Sequence, residues 1–297
     1  GLLYTLSPLR QPVLRVEPNE RFQVETEDAA SGQIRKETDV RDRDRVPYGN
    51  PVVGPIHVEG ARKGDTLQVD IEEVTPSIGQ GATYFSAFTY SYLLPSPVHE
   101  LLGGKLPSKT KVCRIRDGEV LFSEKIHLPY RPMIGTIGTA PALEVENVSS
   151  GVGVGPHGGN MDIPEIGPSA TVYLPVFHDG ALLYVGDAHA VQGDGEISGT
   201  GVEMPAEITL RTGLVKEKTI RFPRVRKGSE AMCIATTTPG RGLEDAVKTA
   251  FLGLIEWMRD DYALDPFDAL MLCSQIGEVR IGNLWAVAAK IDTRYLC

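Results

Sequence analysis

Several familiar signatures are missing from this 297-residue chain. No stretch approaches the ~18 consecutive apolar residues that a membrane-spanning helix needs. No signal-peptide pattern opens it. Together these argue against a membrane partner. The chain begins with Gly1 rather than Met, which leaves room for a removed residue or leader. Basic clusters are scarce: only Arg221, Arg224, Arg226 and Lys227 gather, as a solvated strand end would. With a net charge of −9, nucleic acid is not an expected partner. There is no GxSxG elbow. The glycine-rich segment 151–159 (GVGVGPHGG) neither follows a strand pattern nor opens a helix, so it is no phosphate loop. Cysteine is limited to four residues with no CxxC pair, which excludes zinc-ribbon and thioredoxin-like readings. Cys113, Cys233 and Cys273 sit in apolar runs as small core residues; Cys297 is terminal. This usage fits a reducing cytoplasm. No internal repeat or low-complexity tract is present.

What the chain does have is punctuation. Its 32 glycines and 21 prolines are scattered throughout, as many short strands and turns require. Strands are expected at 12–16, 21–26, around the Lys63-Gly64-Asp65 turn, and at 206–212 and 218–222. In the strand after that turn, Leu67, Val69 and Ile71 alternate as on a half-buried face. Segment 111–122 reads as a hairpin turning at Asp117-Gly118. Segments 28–34 and 37–45 read as polar loops, the second also as a frayed helix. Segment 129–141 reads as a tight loop whose backbone approaches something closely. Segment 145–156 reads as a flexible Gly/Ser loop, and 82–104 matches no single pattern. Segments 170–176 and 181–186 form an apparent hairpin through Phe177-His178-Asp179-Gly180. Residues 242–262 carry Leu243, Ala246, Val247, Ala250, Phe251, Leu254, Ile255 and Met258 at helical spacing. A second helix starts at Asp265-Pro266, uses Leu270, Cys273 and Ile276 as its apolar face, and stops at Gly277. Strand character returns over 279–291. The expected fold is mainly β with two helices near the C-terminus. It forms one unit over 1–297, or two β subdomains at 1–145 and 146–297.

Two polar knots stand out. The first holds His157, Asn160 and Asp162; the second holds Asp187, His189, Asp194 and Glu196. Histidine with carboxylate supplies ligands for zinc or a similar divalent ion, and equally the groups for acid–base catalysis. Taken singly, each is also what a solvated glycine-rich turn contains. The hairpin at 170–186 would bring the knots to one end. His57 and Glu59 form a pair that could reach a site. His99, His127 and His178 read as structural or surface residues.

The stretches VVGPIHVEGARKGDTLQVDI (52–71), RPMIGTIGTAPA (131–142), HGGNMD (157–162), ATVYLPV (170–176) and GDAHAVQGDGE (186–196) carry a resemblance. Together they resemble the acetamidase/formamidase family, over nearly the whole chain, and its compact bacterial acetamidase-like branch in particular. The resemblance implies hydrolysis of short-chain amides to carboxylate and ammonia, a jelly-roll-like β fold and a homo-oligomer. Some relatives carry divalent metal, and some act on a lactam. Family polar positions fall on Glu59, His157, Asn160, Asp162, Asp187, His189 and Glu196. Two positions depart: Ala29 stands where relatives often have Cys, and His57 where they often have Tyr or Phe.

The resulting expectation is a cytoplasmic amidase acting on a small amide. Metal ligands would be His157, Asp162, His189 and Asp187, with zinc first and calcium as the alternative. Glu196, Glu59 and Asn160 would be catalytic, and His57, Gly159 and Met133 would contact substrate. The loop at 135–141 and the aromatics at 84–92 would close the pocket. A metal-free, carboxylate-activated water is the main variant. The competing readings are a calcium-binding β-sandwich module and a purely structural oligomer. Histidine in both knots weighs against calcium, whose sites use oxygen ligands.

Overall fold

Burial alternates with period two in strands that keep one wet face, such as 21–26, and is continuous in others, such as 183–189. The computed structural model describes residues 2–85, 108–142, 147–237 and 242–296. The strands begin with β1 (Thr5–Leu6), β2 (Leu14–Val16), β3 (Arg21–Thr26), β4 (Val52–Val58), β5 (Thr66–Pro76) and β6 (Gln80–Phe85). They continue with β7 (Lys109–Arg116), β8 (Glu119–Leu121), β9 (His127–Pro129), β10 (Met133–Thr139), β11 (Val148–Ser149), β12 (Val154–Gly155) and β13 (Gly158–Asn160). Then come β14 (Ala170–Pro175), β15 (Leu183–His189), β16 (Ala206–Val215), β17 (Arg224–Lys227) and β18 (Glu230–Thr236). Two helices follow, α1 (Leu243–Tyr262) and α2 (Pro266–Ile276), before β19 (Glu278–Ile281) and β20 (Ala286–Asp292). The mainly β architecture with two helices is as expected from the sequence.

Two large sheets form a sandwich. One has six strands in the order β12-β13-β10-β15-β4-β2; the other has eight, β19-β20-β18-β17-β14-β5-β16-β3. Ile56, Ile134, Ile137, Val185 and Ala188 of the first meet Leu67, Val69, Val172, Leu174 and Ile208 of the second in one buried cluster. Such burial removes apolar side chains from water at about 25 cal/mol per Å².

Strands β18 and β20 are covered on both faces. Met232, Ile234, Ala286 and Ala288 point into the sandwich. The alternate residues Ala231, Cys233, Val287, Ala289 and Ile291 pack against α1 and α2. That second layer takes Ala246, Ala250, Leu254 and Met258 of α1 at helical spacing. The Asp265 side chain caps α2 by accepting from the backbone N–H of Phe267 and Asp268. Cys113, Cys233 and Cys273 are buried and free; Cys297 lies outside the described residues, as does His99.

Four expectations change. The 170–186 hairpin does not exist: β14 pairs with β5 and β17, whereas β15 pairs with β10 and β4 in the opposite sheet. The connection between them crosses the sandwich, so both strands can be buried. The supposed loop at 129–141 contains β10, a strand buried along its whole length. Its glycines permit close packing in the sheet. No strand forms over 218–222; the strand starts at Arg224. On α2, Leu270 is 53% exposed while Ala269 and Cys273 are buried. The buried face follows the i, i+4 pair, with Leu270 about 100° around the helix.

Candidate active site

β10 brings the two knots together. Its neighbour on one side is β13 and on the other β15. Thr136 faces Asn160 across the first pairing and Gly186 across the second. Asp162 and Asp187 follow those partners and so arrive on either side of β10. Gly135 makes the approach possible: a Cβ there would stand 2.3 Å from Asp162 Oδ1 and 2.8 Å from Asp187 Oδ2. Asp162, Asp187 and Glu196 all adopt positive φ, at 51°, 59° and 46°. Such backbone costs about 1–3 kcal/mol per residue and concentrates at functional sites.

The cluster is held by a polar net. His189 Nε2 faces Glu203 Oε2 at 3.1 Å and Asp187 Oδ1 at 3.4 Å. Its Nδ1 lies 2.8 Å from Gln192 Oε1, and Gln192 Nε2 in turn donates to the Asp162 carbonyl at 2.7 Å. Asn283 donates to Asp162 Oδ2 at 2.8 Å and to the Asn160 carbonyl at 2.7 Å. Thr136 Oγ1 donates to Asn160 Oδ1 at 2.6 Å. Asn50 donates to Asn160 Oδ1 and Asp187 Oδ2. Glu203 Oε1 accepts from the Gly201 N–H at 2.9 Å. Asp162 Oδ1 is buried and has no hydrogen-bond partner.

Four carboxylates thus crowd one histidine. None of them is ion-paired to lysine or arginine among the described residues. Burial, then the charge of Asp187, pushes the Asp162 carboxyl up to about 7. Burial likewise raises Glu203 to about 7, with His189 acting the other way. Burial and then Asp162 drive Glu196 well above its ordinary range. At His189 burial opposes the charge, but Glu203 and Asp187 outweigh it and hold the imidazolium well above its usual pKa. Leaving buried carboxylates unpaired costs on the order of several kcal/mol each. Protons or a cation must offset that charge.

Two ligand sets fit a metal ion. Asp162, His189 and Glu196 form one, and Asp187, His189 and Glu203 the other; within each, the donor atoms lie within 4.8 Å of one another. Asp162, whose Oδ1 has no hydrogen-bond partner, belongs to the first. A cavity of about 540 Å³ opens onto this region, lined by Asn50, Tyr84, Asn160, Glu196, Glu203 and Trp285 among others. The aromatics expected at 86–92 lie outside the described residues.

Not every expected residue converges. His157 is buried, with burial pushing its imidazole down to about 4 and Nε2 unpartnered. It pairs with Thr139 rather than Thr136, since its carbonyl accepts from the Thr139 N–H at 2.9 Å. Three residues along β10 is about 10 Å, and His157 joins neither ligand set. Glu59 and His57 lie at the far end of β4. Val52 pairs with Gly186, and Glu59 is seven residues further on, roughly 20 Å away. There Glu59 meets Arg15 at 3.1 Å and His57 at 3.5 Å. Met133 is fully buried opposite His189. Gly159, at φ 104°, is wedged against the Gly153 carbonyl. Neither Met133 nor Gly159 is among the residues that line the cavity. Asp194 pairs with Arg280 away from the cluster.

Glu203, Thr136, Asn50, Gln192 and Asn283 were not singled out from sequence. Glu203 carried one local signal, a carboxylate in the apolar Val202–Met204 stretch that ends the glycine-rich loop. Asn50 and Asn283 come from distant segments and carried none.

A two-sheet sandwich with a buried carboxylate–histidine centre under a cavity narrows the class. The acetamidase/formamidase family model matches residues 8–151 and 149–230. The chain belongs to that family. The crystal structure of an acetamidase from Yersinia enterocolitica superposes with a TM-score of 0.88 at 36% identity, covering 100% of this chain and 90% of that one. An acetamidase from Bacillus halodurans gives 0.87 at 32% identity, covering 99% and 96%. A formamidase from Methylophilus methylotrophus is 29% identical over 254 residues, 69% of this chain and 62% of that protein. The chain spans about three fifths of the length of the curated relatives it matches.

Proposed function

We propose that the protein hydrolyses short-chain linear amides to carboxylate and ammonia. The observation that carries this is the buried His189–carboxylate cluster beneath the cavity, in a chain similar to formamidases and acetamidases. The residues proposed to hold a divalent ion are Asp162, His189 and Glu196, with Asp187 and Glu203 as the alternative set. Zinc is favoured over calcium because both sets depend on a histidine. Such an ion supplies Lewis acidity and favours deprotonation of water near neutral pH.

The protein's own groups do the rest. Glu203 lines the cavity beside His189, so it is placed to accept a proton from the attacking water and return it to the leaving amine. When Glu203 is a ligand instead, Glu196 takes that role. Asn160 gives one N–H to the Gly151 carbonyl at 3.2 Å and keeps another for the developing oxyanion. Tyr84 and Trp285 line the cavity that would receive the acyl group. A single folding unit is also proposed, because one core cluster runs from Val16 to Ala288. Self-association and a cytoplasmic location rest on the family resemblance and on cysteine usage.

The test is metal analysis of the purified protein, then ammonia release from formamide, acetamide and a small lactam before and after chelation. Turnover that vanishes with the metal and returns with zinc is expected. Activity that survives complete metal removal sinks the metal assignment. Silence across the whole amide panel sinks the amidase.

A further inference from the structure

A second cavity lies on the opposite side of the molecule's architecture, between the outer face of the eight-stranded sheet and α1. Strand register builds its floor. Gly213, Gln68, Tyr173 and Arg224 face one another across β16, β5, β14 and β17. Their chain neighbours Leu67, Val69, Val172, Leu174 and Val225 point into the sandwich core, so this row points outward. Two residues along, Arg226 faces Thr171, which faces Asp70. Trp257 of α1 forms the roof, 5.1 Å from the Arg224 guanidinium and 5.4 Å from that of Arg226. The space enclosed is about 210 Å³.

Arg224 is only 6% exposed. It makes no hydrogen bond or ion pair among the described residues, and its one close partner is the indole face. Burial works against its charge, and Cys233, Asp261, Asp260 and Glu256 act on it without a hydrogen bond. A guanidinium carries five N–H donors, and those of Arg224 line the cavity without a protein acceptor. The neighbouring charges do not answer the need. Asp261 is already held by Lys218 and by Trp257 Nε1, the latter at 2.9 Å. Arg226 donates to the Tyr262 hydroxyl at 2.6 Å, and Gln68 donates to Asp70. The lining therefore holds three cations against one carboxylate that is already engaged.

We propose that this cavity is a binding site for a small oxyanion, a carboxylate or phosphate group. Arg224 is its principal donor and Arg226 stands beside it. A planar guanidinium beside an aromatic ring offers two parallel N–H donors to such a group. The site is separate from the acid cluster and does not depend on the amidase reading.

Calorimetric titration of the full chain with inorganic phosphate and, separately, acetate tests it. At least one of the two should bind saturably with one equivalent. Phosphate alone would identify a phosphorylated ligand, and acetate a carboxylate. Arg224→Met should weaken binding at least tenfold while keeping the wild-type circular dichroism, and His189→Ala should leave binding unchanged. If Arg224→Met does not fold, Arg226→Gln is expected to weaken binding about threefold. The proposal is overturned if neither anion binds the wild-type chain. It is equally overturned if binding survives Arg224→Met or, where that variant does not fold, Arg226→Gln, or disappears in His189→Ala.

Discussion

The six-stranded sheet carries histidine–carboxylate pairs at both ends. At one end His57 and Glu59 meet at 3.5 Å, with Arg15 on the same carboxylate and side chains 20% and 39% exposed. At the other, His189 meets Glu203 and Asp187 at 3.1 and 3.4 Å with side chains 0–3% exposed and no arginine or lysine in the group. The residue types are the same and the distances similar. Water and a neutralising cation make the first pair an ordinary surface contact. Burial makes the second a store of proton affinity and a group that could hold a cation. Residue type proposes a site, and desolvation decides it.

The largest effect that this contrast predicts is at His189. His189→Ala should lower kcat/KM on formamide or acetamide by at least about 100-fold, with bound metal lost in parallel. Turnover close to wild type would place the chemistry elsewhere.

Next comes Gly135→Ala, which pushes a methyl group into Asp162 and Asp187. Overpacking of this kind costs about 1–3 kcal/mol, measurable as a lower urea midpoint, and activity should fall with it. A variant as stable and active as wild type would mean that the close approach of β10 is not needed.

The pH response follows from Asp162 and Glu203, whose ordinary values of 3.8 and 4.5 rise to about 7 in the folded chain. Between those limits the folded state holds more protons than the unfolded one. Their contribution is therefore full below about pH 4 and is lost as pH rises through about 7. Metal-stripped protein should show a lower urea midpoint at pH 7.5 than at pH 5.5, and Glu203→Gln should flatten that difference. An unchanged difference in Glu203→Gln would remove this carboxyl from the account. Zinc binding should offset the loss at the higher pH, because the ion prefers the ionised carboxylates.

The smallest effect is at the solvated end. Glu59→Gln should change kcat/KM less than about twofold and stability by about 1 kcal/mol or less. A large loss of turnover there would break the contrast and bring Glu59 back to the chemistry.

Much of the chain was legible locally. Strand β3 was expected over 21–26 and lies there, because a strand with one wet face must alternate, as Phe22 and Val24 do by being buried between exposed neighbours. Helix α1 was visible in eight apolar residues at helical spacing, and the start of α2 in Asp265-Pro266. The knots were legible as charged residues among glycines, where packing offers no reason for charge. Strand β10 was misread because glycine and proline signal turns on average, and only a sheet that needs close backbone contact reverses that meaning. The hairpin at 170–186 failed because hydrophobic alternation shows that a strand is buried and not which sheet it joins.

The sequence by itself determined the β-rich class, the two helices, and the two polar knots that contain Asp162, Asp187, His189 and Glu196, because these follow from local spacing and composition. Only the tertiary structure decided that β10 lies between the two knots, that Glu203 from beyond the loop closes the cluster, that Asn50 and Asn283 hold it, and that His157, His57 and Glu59 stay apart from it. Those decisions depend on strand order and on which side chains lose water together. Both are properties of contacts between distant segments, which no local pattern encodes.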